Sequence, residues 1–197
     1  MDSHSSPAFY FDLASPEAYL SAERILHTVP VAVEWVPVLA RELGPSAETW
    51  HAFRCEEERQ IALMRIERKA AERGLQPIRW PDPFPFDSSY AMLVATYAKE
   101  IGRTVQFALA AFRQAFAAGR ALDVVDNVLI AASACEMHPQ AILKGAKTRV
   151  IQQALTDATV EAFGRGVRDV PAVWTGEQVF HGDDALDAVA DALRPTA

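Results

Sequence analysis

The sequence predicts an α/β fold in which a thioredoxin-type layer is interrupted by a large all-helical insertion. Residues 8–38 have the pattern strand–helix–strand, which packs as a right-handed βαβ unit with parallel strands. Residues 49–164 have a helical pattern throughout most of their length. Residues 170–193 then have the pattern of a β-hairpin followed by a helix. Together the βαβ and ββα halves make one thioredoxin-type layer.

The βαβ half begins with residues 8–13, whose aromatic and apolar side chains predict a strand. Ser15 and Pro16 begin the helix, because serine is a favoured N-cap and proline fits the first helical position. We expect this helix to end near His27. Residues 31–38 predict the second strand, because they are rich in β-branched side chains.

The middle of the chain is predicted to be helical, with one interruption. Residues 80–86 alternate prolines with aromatic and acidic residues, so they cannot form a helix. We expect Thr104 to be the N-cap of its helix. The predicted helices are 51–73, 88–101, 104–118, 126–136, 139–144 and 148–163.

The end of the chain returns to strands. Residues 170–174 and 178–180 predict a hairpin, and residues 183–193 predict a last helix. We therefore divide the chain into a thioredoxin-like domain, residues 1–45 and 165–197, and a helical insertion domain, residues 46–164.

Composition excludes several classes of protein. With a net charge of −7 and a pI near 5.2, the chain lacks the basic surface that nucleic-acid binding needs. The N-terminal residues show no secretory signal, and no stretch approaches the ~20 apolar residues of a membrane span. Cys55 and Cys135 form no C-x-x-C, zinc or disulfide pattern. We expect a cytoplasmic protein that binds neither nucleic acid nor membrane and holds no metal.

Ser15 is the first candidate site residue. It stands at the carboxyl end of the first strand and at a helix N-terminus, where unpaired N–H groups stabilise an anion such as a thiolate. The alternative is an ordinary helix cap.

Val170 and Pro171 are the second candidate. A cis bond there would present the Val170 main chain to a peptide-like ligand, whereas a trans bond would make Pro171 a plain edge-strand proline.

The third candidate is Gly182-Asp183-Asp184, just before the last helix. Two carboxylates at this point can bind an ammonium group or simply cap the helix. His181 precedes them and has the chemistry of an acid or base near neutral pH.

Several short motifs follow one another along nearly the whole chain. They are FYFD at 9–12, Ser15-Pro16, AYL at 18–20, ERKAA at 67–71, Gly74-Leu75, Arg79-Trp80-Pro81, Gly166-Val167, Val170-Pro171, and Phe180 with Gly182, Asp183, Asp184 and Leu186. In this order they resemble the 2-hydroxychromene-2-carboxylate isomerase family, which is related to the kappa-class glutathione transferases and the DsbA-like oxidoreductases. The resemblance implies a homodimer that uses glutathione on a thioredoxin fold.

The resemblance also implies roles for the candidate residues. Ser15 would hydrogen-bond the glutathione sulfur, and the Val170 main chain beside a cis-Pro171 would hold the cysteinyl unit. Asp183 and Asp184, with Gly182, would hold the γ-glutamyl end.

The implied substrate is a small aromatic or conjugated carbonyl compound. The glutathione thiolate would add to it, a double bond would become single and rotate, and the thiol would then leave. We expect Asp12, Trp80 and His181 to line the substrate pocket. The proline-fixed segment 80–86 either supplies aromatic faces to that pocket or simply packs onto the helical insertion.

The sequence departs from the family at several of these positions. Glu17 stands where the family has an aromatic residue, Asp169 where it has glycine, and His181 where it has an aromatic residue.

Two alternative functions stay open. A DsbA-like disulfide oxidoreductase needs cysteine at position 15 and normally at position 18, where this chain has Ser15 and Ala18. The second alternative is a binding protein that keeps the fold and has lost the catalytic activity.

Overall fold

A computed structural model of the chain describes residues 6–44, Trp50 and residues 53–194. Short 3-10 turns precede the helical block and the last helix, at Ala40–Glu42 and Asp183–Ala185. The strands are β1 (Ala8–Phe11), β2 (Glu34–Pro37), β3 (Ala172–Trp174) and β4 (Val179–His181). The helices are α1 (Pro16–Thr28), α2 (Glu56–Glu72), α3 (Ser89–Glu100), α4 (Thr104–Phe116), α5 (Val125–Ser133), α6 (Pro139–Gly145), α7 (Arg149–Gly164) and α8 (Leu186–Ala192).

The described strands form one sheet in the order β2-β1-β3-β4. β1 pairs with β2 in parallel, with Phe9 opposite Trp35, and with β3 in antiparallel fashion, with Phe9 opposite Val173. β3 and β4 form the antiparallel hairpin. The predicted thioredoxin-type arrangement is therefore confirmed, and α2 to α7 lie between β2 and β3 in the sequence as expected for the insertion.

The two faces of β1 carry different parts of the core, because successive strand residues point to opposite sides. On one face, Phe9 and Phe11 pack with Trp35 at ring-centroid distances of 4.9 and 5.8 Å. Phe112 of α4 covers this face, 5.9 Å from Phe11 and 6.2 Å from Tyr19 of α1. The other face belongs to a smaller apolar cluster that includes Ala8, Tyr10, Val36, Ala162, Val170 and Ala172.

The larger apolar cluster contains residues of both predicted domains, Phe11 and Phe112 among them. The predicted boundary between residues 45 and 46 lies outside the described residues. The division into two domains stays a prediction. Within the described ranges, no helix combines the length and apolar character that crossing a bilayer requires.

Several predicted boundaries were wrong, and three of them have an identifiable local cause. β2 begins at Glu34 rather than at residue 31, because Ala8 at the start of β1 pairs with Glu34 and leaves the earlier residues without a partner. Thr104 is the first helical residue and Arg103 the cap, since the Arg103 carbonyl already accepts from the Phe107 N–H. The predicted helix 183–193 is a 3-10 turn followed by α8.

Phe112 joins the helical block to the sheet, and we expect Phe112→Ala to destabilise the protein by about 3–5 kcal/mol. The substitution would leave a cavity among Phe11, Tyr19 and their neighbours. Urea unfolding followed by circular dichroism measures the change. Val150→Ala is the control, because that side chain on α7 is 73% exposed and its loss should change stability by less than about 0.5 kcal/mol. Equal effects of both variants would contradict the packing described.

Candidate active site

Ser15 caps α1 and also faces the main chain that precedes β3. Its Oγ accepts a hydrogen bond from the Ala18 N–H at 3.1 Å, and the residue is only 8% exposed. The hydroxyl proton has two acceptors within reach, the Val170 carbonyl at 3.4 Å and Glu17 Oε2 at 3.5 Å. Because one hydroxyl has one proton, it can satisfy one of these long contacts at a time. Ser15 is thus a helix cap that keeps its own proton available.

A cavity of about 680 Å³ is lined by both Ser15 and Val170. Six of the residues predicted from sequence line it: Asp12, Ser15, Val170, Pro171, His181 and Gly182. Glu17, Arg41, Trp50, Arg65, Phe86 and Asp169 line it as well. Trp80, Asp183 and Asp184 do not.

The main chain at Val170 has partners within the protein. The Val170–Pro171 bond is cis. The Val170 N–H donates to Asp169 Oδ1 at 2.7 Å, and the Val170 carbonyl faces the Ser15 hydroxyl. A ligand that pairs with the Val170 N–H must therefore displace the Asp169 carboxylate. Burial raises the pKa of Asp169, while its bond from Val170 acts against that rise.

Asp183 and Asp184 are held by Lys69 of α2 and by Arg73, the residue that caps the end of α2. Lys69 Nζ lies 3.0 Å from Asp183 Oδ1 and 2.5 Å from Asp184 Oδ2. Arg73 Nη2 lies 2.5 Å from Asp184 Oδ1, and Arg73 Nη1 contacts Asp183 Oδ2. Asp183 is 3% exposed. The hydrogen bond from Lys69 is the main cause that lowers the pKa of Asp184. These ion pairs, which we call the α2 joint, tie the helical block to the turn before α8.

The α2 joint bears on the predicted glutathione contacts. Each carboxylate already has two cationic partners, so a ligand ammonium would have to share or replace them. The prediction that Asp183 and Asp184 hold the γ-glutamyl end stays a prediction.

Trp80 lies behind the cavity wall instead of forming it. Its indole N–H donates to Glu67 Oε1 at 2.7 Å, and its ring packs 4.8 Å from Phe84 and 5.8 Å from Trp50. Trp50 and Phe86 supply the aromatic lining in its place. Phe86 is the aromatic residue of segment 80–86 that lines the cavity, and a substrate wall formed by this segment stays a prediction.

Asp12 is buried, with both carboxylate oxygens occupied. Oδ1 accepts from the Ala14 N–H at 2.9 Å, and Oδ2 accepts from the Ala40 N–H at 3.0 Å. Burial raises its pKa. Asp12 therefore joins the carboxyl ends of β1 and β2, which positions Ser15 three residues later.

Glu17 is the carboxyl group nearest to the Ser15 hydroxyl. The Trp50 indole N–H donates to Glu17 Oε2 at 3.1 Å. Burial raises the pKa of Glu17, and the negative charges of Asp183 and Asp169 raise it further. The sequence marked Glu17 only as a departure from the family.

Arg65 and Trp50 line the cavity but were not singled out from the sequence. For Arg65 a sequence signal exists, because it stands four and eight residues before Lys69 and Arg73 and so shares their helix face. Nothing in the sequence around Trp50 predicted its place. The described residues contain no group of His, Cys, Asp and Glu side chains arranged to hold a metal ion.

The protein has recognisable relatives. A family model of the DsbA-like thioredoxin domain matches residues 8–194. The chain belongs to the DsbA-like thioredoxin family. The 2-hydroxychromene-2-carboxylate isomerase of Sphingobium xenophagum is 24% identical over 196 residues, covering 94% of this chain and 96% of that protein. The predicted resemblance is thereby confirmed.

Solved structures show the same DsbA-like fold. A 2-hydroxychromene-2-carboxylate isomerase structure matches with a TM-score of 0.82 at 16% identity, covering 94% of this chain and 93% of that one. A Streptomyces coelicolor protein named as a probable DsbA oxidoreductase matches with a TM-score of 0.74 at 19% identity, covering 95% and 88%. At these identities the comparison establishes the fold and leaves the chemistry to the site.

His181 should be a neutral hydrogen-bond donor to the cavity at pH 7. Its Nε2 accepts from the Arg168 N–H at 3.1 Å, so the ring proton lies on Nδ1. Burial and then the Arg168 charge lower its pKa. A nitrogen-15 NMR titration should show the Nδ1-protonated tautomer and a midpoint below the ordinary value of about 6.5. A midpoint above that value would contradict the expected effect of burial and of the Arg168 charge.

Proposed function

We propose that the protein is a glutathione-dependent isomerase of the 2-hydroxychromene-2-carboxylate isomerase type, or a closely related kappa-class-like transferase. The observation that carries the proposal is the open cavity lined by Ser15, Glu17 and Val170 at the N-terminus of α1. The similarity to a curated isomerase over nearly the whole chain supports an enzymatic function.

The position of Ser15 suits a sulfur anion. The N-terminus of α1 supplies partial positive charge, which favours a thiolate over a thiol. The Ser15 hydroxyl is only weakly engaged with Val170, at 3.4 Å, so it can turn and donate to the sulfur instead. In this arrangement the serine stabilises a nucleophile that glutathione brings.

The reaction we propose is a reversible addition. The thiolate forms a C–S bond to a carbon–carbon double bond conjugated with a carbonyl group, and the displaced electron pair moves to the carbonyl oxygen. The former double bond is now single and rotates. When the electron pair returns, the C–S bond breaks and the isomer and thiolate are released. Trp50 and Phe86 supply aromatic surface for such a substrate.

Disulfide exchange is disfavoured as the activity of this site. It requires a cysteine nucleophile, and neither Cys55 nor Cys135 lines the cavity. Burial raises the pKa of Cys135, which makes it a poor nucleophile.

The proposal also includes a cytoplasmic homodimer that acts in the catabolism of small aromatic compounds.

Ser15→Ala should lower glutathione-dependent isomerisation of 2-hydroxychromene-2-carboxylate by about 100-fold or more in kcat/KM, because the sulfur loses its hydrogen-bond donor. The substitution also removes a helix cap worth about 1 kcal/mol. Thr148→Ala is the matched control, since Thr148 caps α7 in the same way. Full activity of Ser15→Ala would show that the reaction does not need this hydroxyl, whereas no turnover even in the wild type would favour a protein that binds ligands without this chemistry.

Asp169→Ala should bind glutathione about three- to tenfold more tightly in calorimetric titration. The substitution releases the Val170 N–H and removes a negative charge that faces an anionic ligand. Asp157→Ala is the control, because it changes the net charge equally on an exposed part of α7. Weaker binding to Asp169→Ala than to wild type would contradict the proposed contact with Val170.

A further inference from the structure

Glu17 offers chemistry that Ser15 cannot supply. A serine hydroxyl donates a hydrogen bond to sulfur but does not carry a proton away at neutral pH. A thiol that becomes a nucleophile must lose its proton. The carbonyl oxygen that receives the displaced electron pair is stabilised when it takes up a proton. The site therefore needs a group that holds a proton between these two events.

The other ionisable groups near Ser15 are already engaged. Both oxygens of Asp12 accept main-chain N–H groups, and Asp169 Oδ1 accepts the Val170 N–H. The acceptor nitrogen of His181 is bound to the Arg168 N–H. Glu17 is engaged as well, by the Trp50 indole, but its Oε2 also lies 3.5 Å from Ser15 Oγ.

Trp50 fixes Glu17 in this position. The indole N–H donates to the same Oε2 at 3.1 Å, so the carboxyl group is oriented toward Ser15 and the cavity. Such a bond from a rigid ring gives a side chain the fixed geometry that proton transfer requires.

The charges around Glu17 are mixed. Asp169 and Asp183 face it with negative charge, and Lys69 and Arg73 offset the charge of Asp183. Asp12, Arg41, Arg65 and His181 line the same cavity. Burial and the two aspartates raise the pKa of Glu17, which makes its carboxylate a better proton acceptor than an ordinary glutamate.

We propose that Glu17 is the proton carrier of the site, accepting the thiol proton of the cofactor and giving it to the carbonyl oxygen of the adduct. The S–H bond breaks as the carboxylate takes the proton and the C–S bond forms. The adduct's oxygen then takes that proton and becomes an enol. On expulsion the proton returns through Glu17 to sulfur, so no net proton, oxidant or reductant is consumed.

Charge repulsion supports this role. A thiolate beside an ionised Glu17 would place two negative charges within a few ångströms, which is unfavourable in a partly buried site. Moving the thiol proton onto Glu17 keeps the total at one negative charge while creating the nucleophile. The inference rests on the proposed thiol-dependent function and names the residue that would carry the proton in it.

The experiment compares Glu17→Gln, Glu17→Asp and Glu23→Gln with wild type. Isomerisation of 2-hydroxychromene-2-carboxylate is followed with saturating glutathione between pH 5 and 9, and thiolate formation is followed by its ultraviolet absorbance. Glutamine still accepts the Trp50 N–H, so Glu17→Gln keeps the local fold. Glu23→Gln is the matched control, because Glu23 lies on the same helix but pairs with Arg113 away from the cavity.

We expect Glu17→Gln to lower kcat by about 10²–10⁴-fold with KM for glutathione changed by less than about threefold, and to flatten the acidic limb of the pH profile. Bound glutathione should ionise at lower pH in this variant, because the neighbouring negative charge is gone. Glu17→Asp should recover part of kcat. A merely structural role would not combine more thiolate with slower turnover.

Two results would overturn the inference, and they differ. If Glu17→Gln keeps the wild-type kcat and pH profile while Ser15→Ala is inactive, Glu17 is not the proton carrier and the proposed function stands. If the wild type shows no glutathione-dependent turnover, the proposed function fails and the inference fails with it.

Discussion

The site depends on the pairing of β1 with strands from both halves of the fold. β1 lies between β2, which runs parallel to it, and β3, which runs antiparallel. The carboxyl end of β1 therefore meets the beginning of β3, and this brings Ser15 within 3.4 Å of a carbonyl group that is 155 positions away in sequence. Phe9 and Phe11 anchor that strand in the core through Trp35 and Phe112. Without this buried strand, neither helix cap nor cavity would have a fixed place.

Acidic and basic side chains are distributed unevenly around the cavity. Carboxyl groups of Asp12, Glu17 and Asp169 surround Ser15, whereas Arg65 approaches the cavity from α2. Each carboxyl group has its own local N–H donor, which compensates burial of an acidic group without a full ion pair. The α2 joint compensates Asp183 and Asp184 separately. In the proposed function, the positive N-terminus of α1 favours a thiolate while these carboxylates disfavour one, so the position of the thiol proton would decide reactivity.

Much of the fold was predictable because local patterns agreed with the topology. The strand–helix–strand opening, the serine cap of α1 and the final hairpin each have a short-range cause. The lining of the cavity was only partly predictable. Ser15, Val170 and His181 stand where motifs place them, but Trp50 reaches the cavity through contacts among distant aromatic rings.

The aspartates before α8 show the limit most clearly. The sequence places Asp183 and Asp184 at a helix start, where their carboxylates could bind a ligand or cap the helix. Their actual partners, Lys69 and Arg73, lie on a helix of the insertion, and no local pattern reports that pairing. The isomer of the Val170–Pro171 bond was equally beyond local reasoning, because the surrounding structure decides it.

Spacing along α2 carries an evolutionary consequence. Arg65, Lys69 and Arg73 lie on successive turns of one face, the first at the cavity and the other two at the joint. One inserted residue between them would rotate the later part of the helix by about 100° relative to the earlier part. Either the Arg65 guanidinium would leave the cavity or ion pairs of the α2 joint would break. Lineages of this protein should therefore tolerate substitutions along this helix far more readily than insertions or deletions between positions 65 and 73.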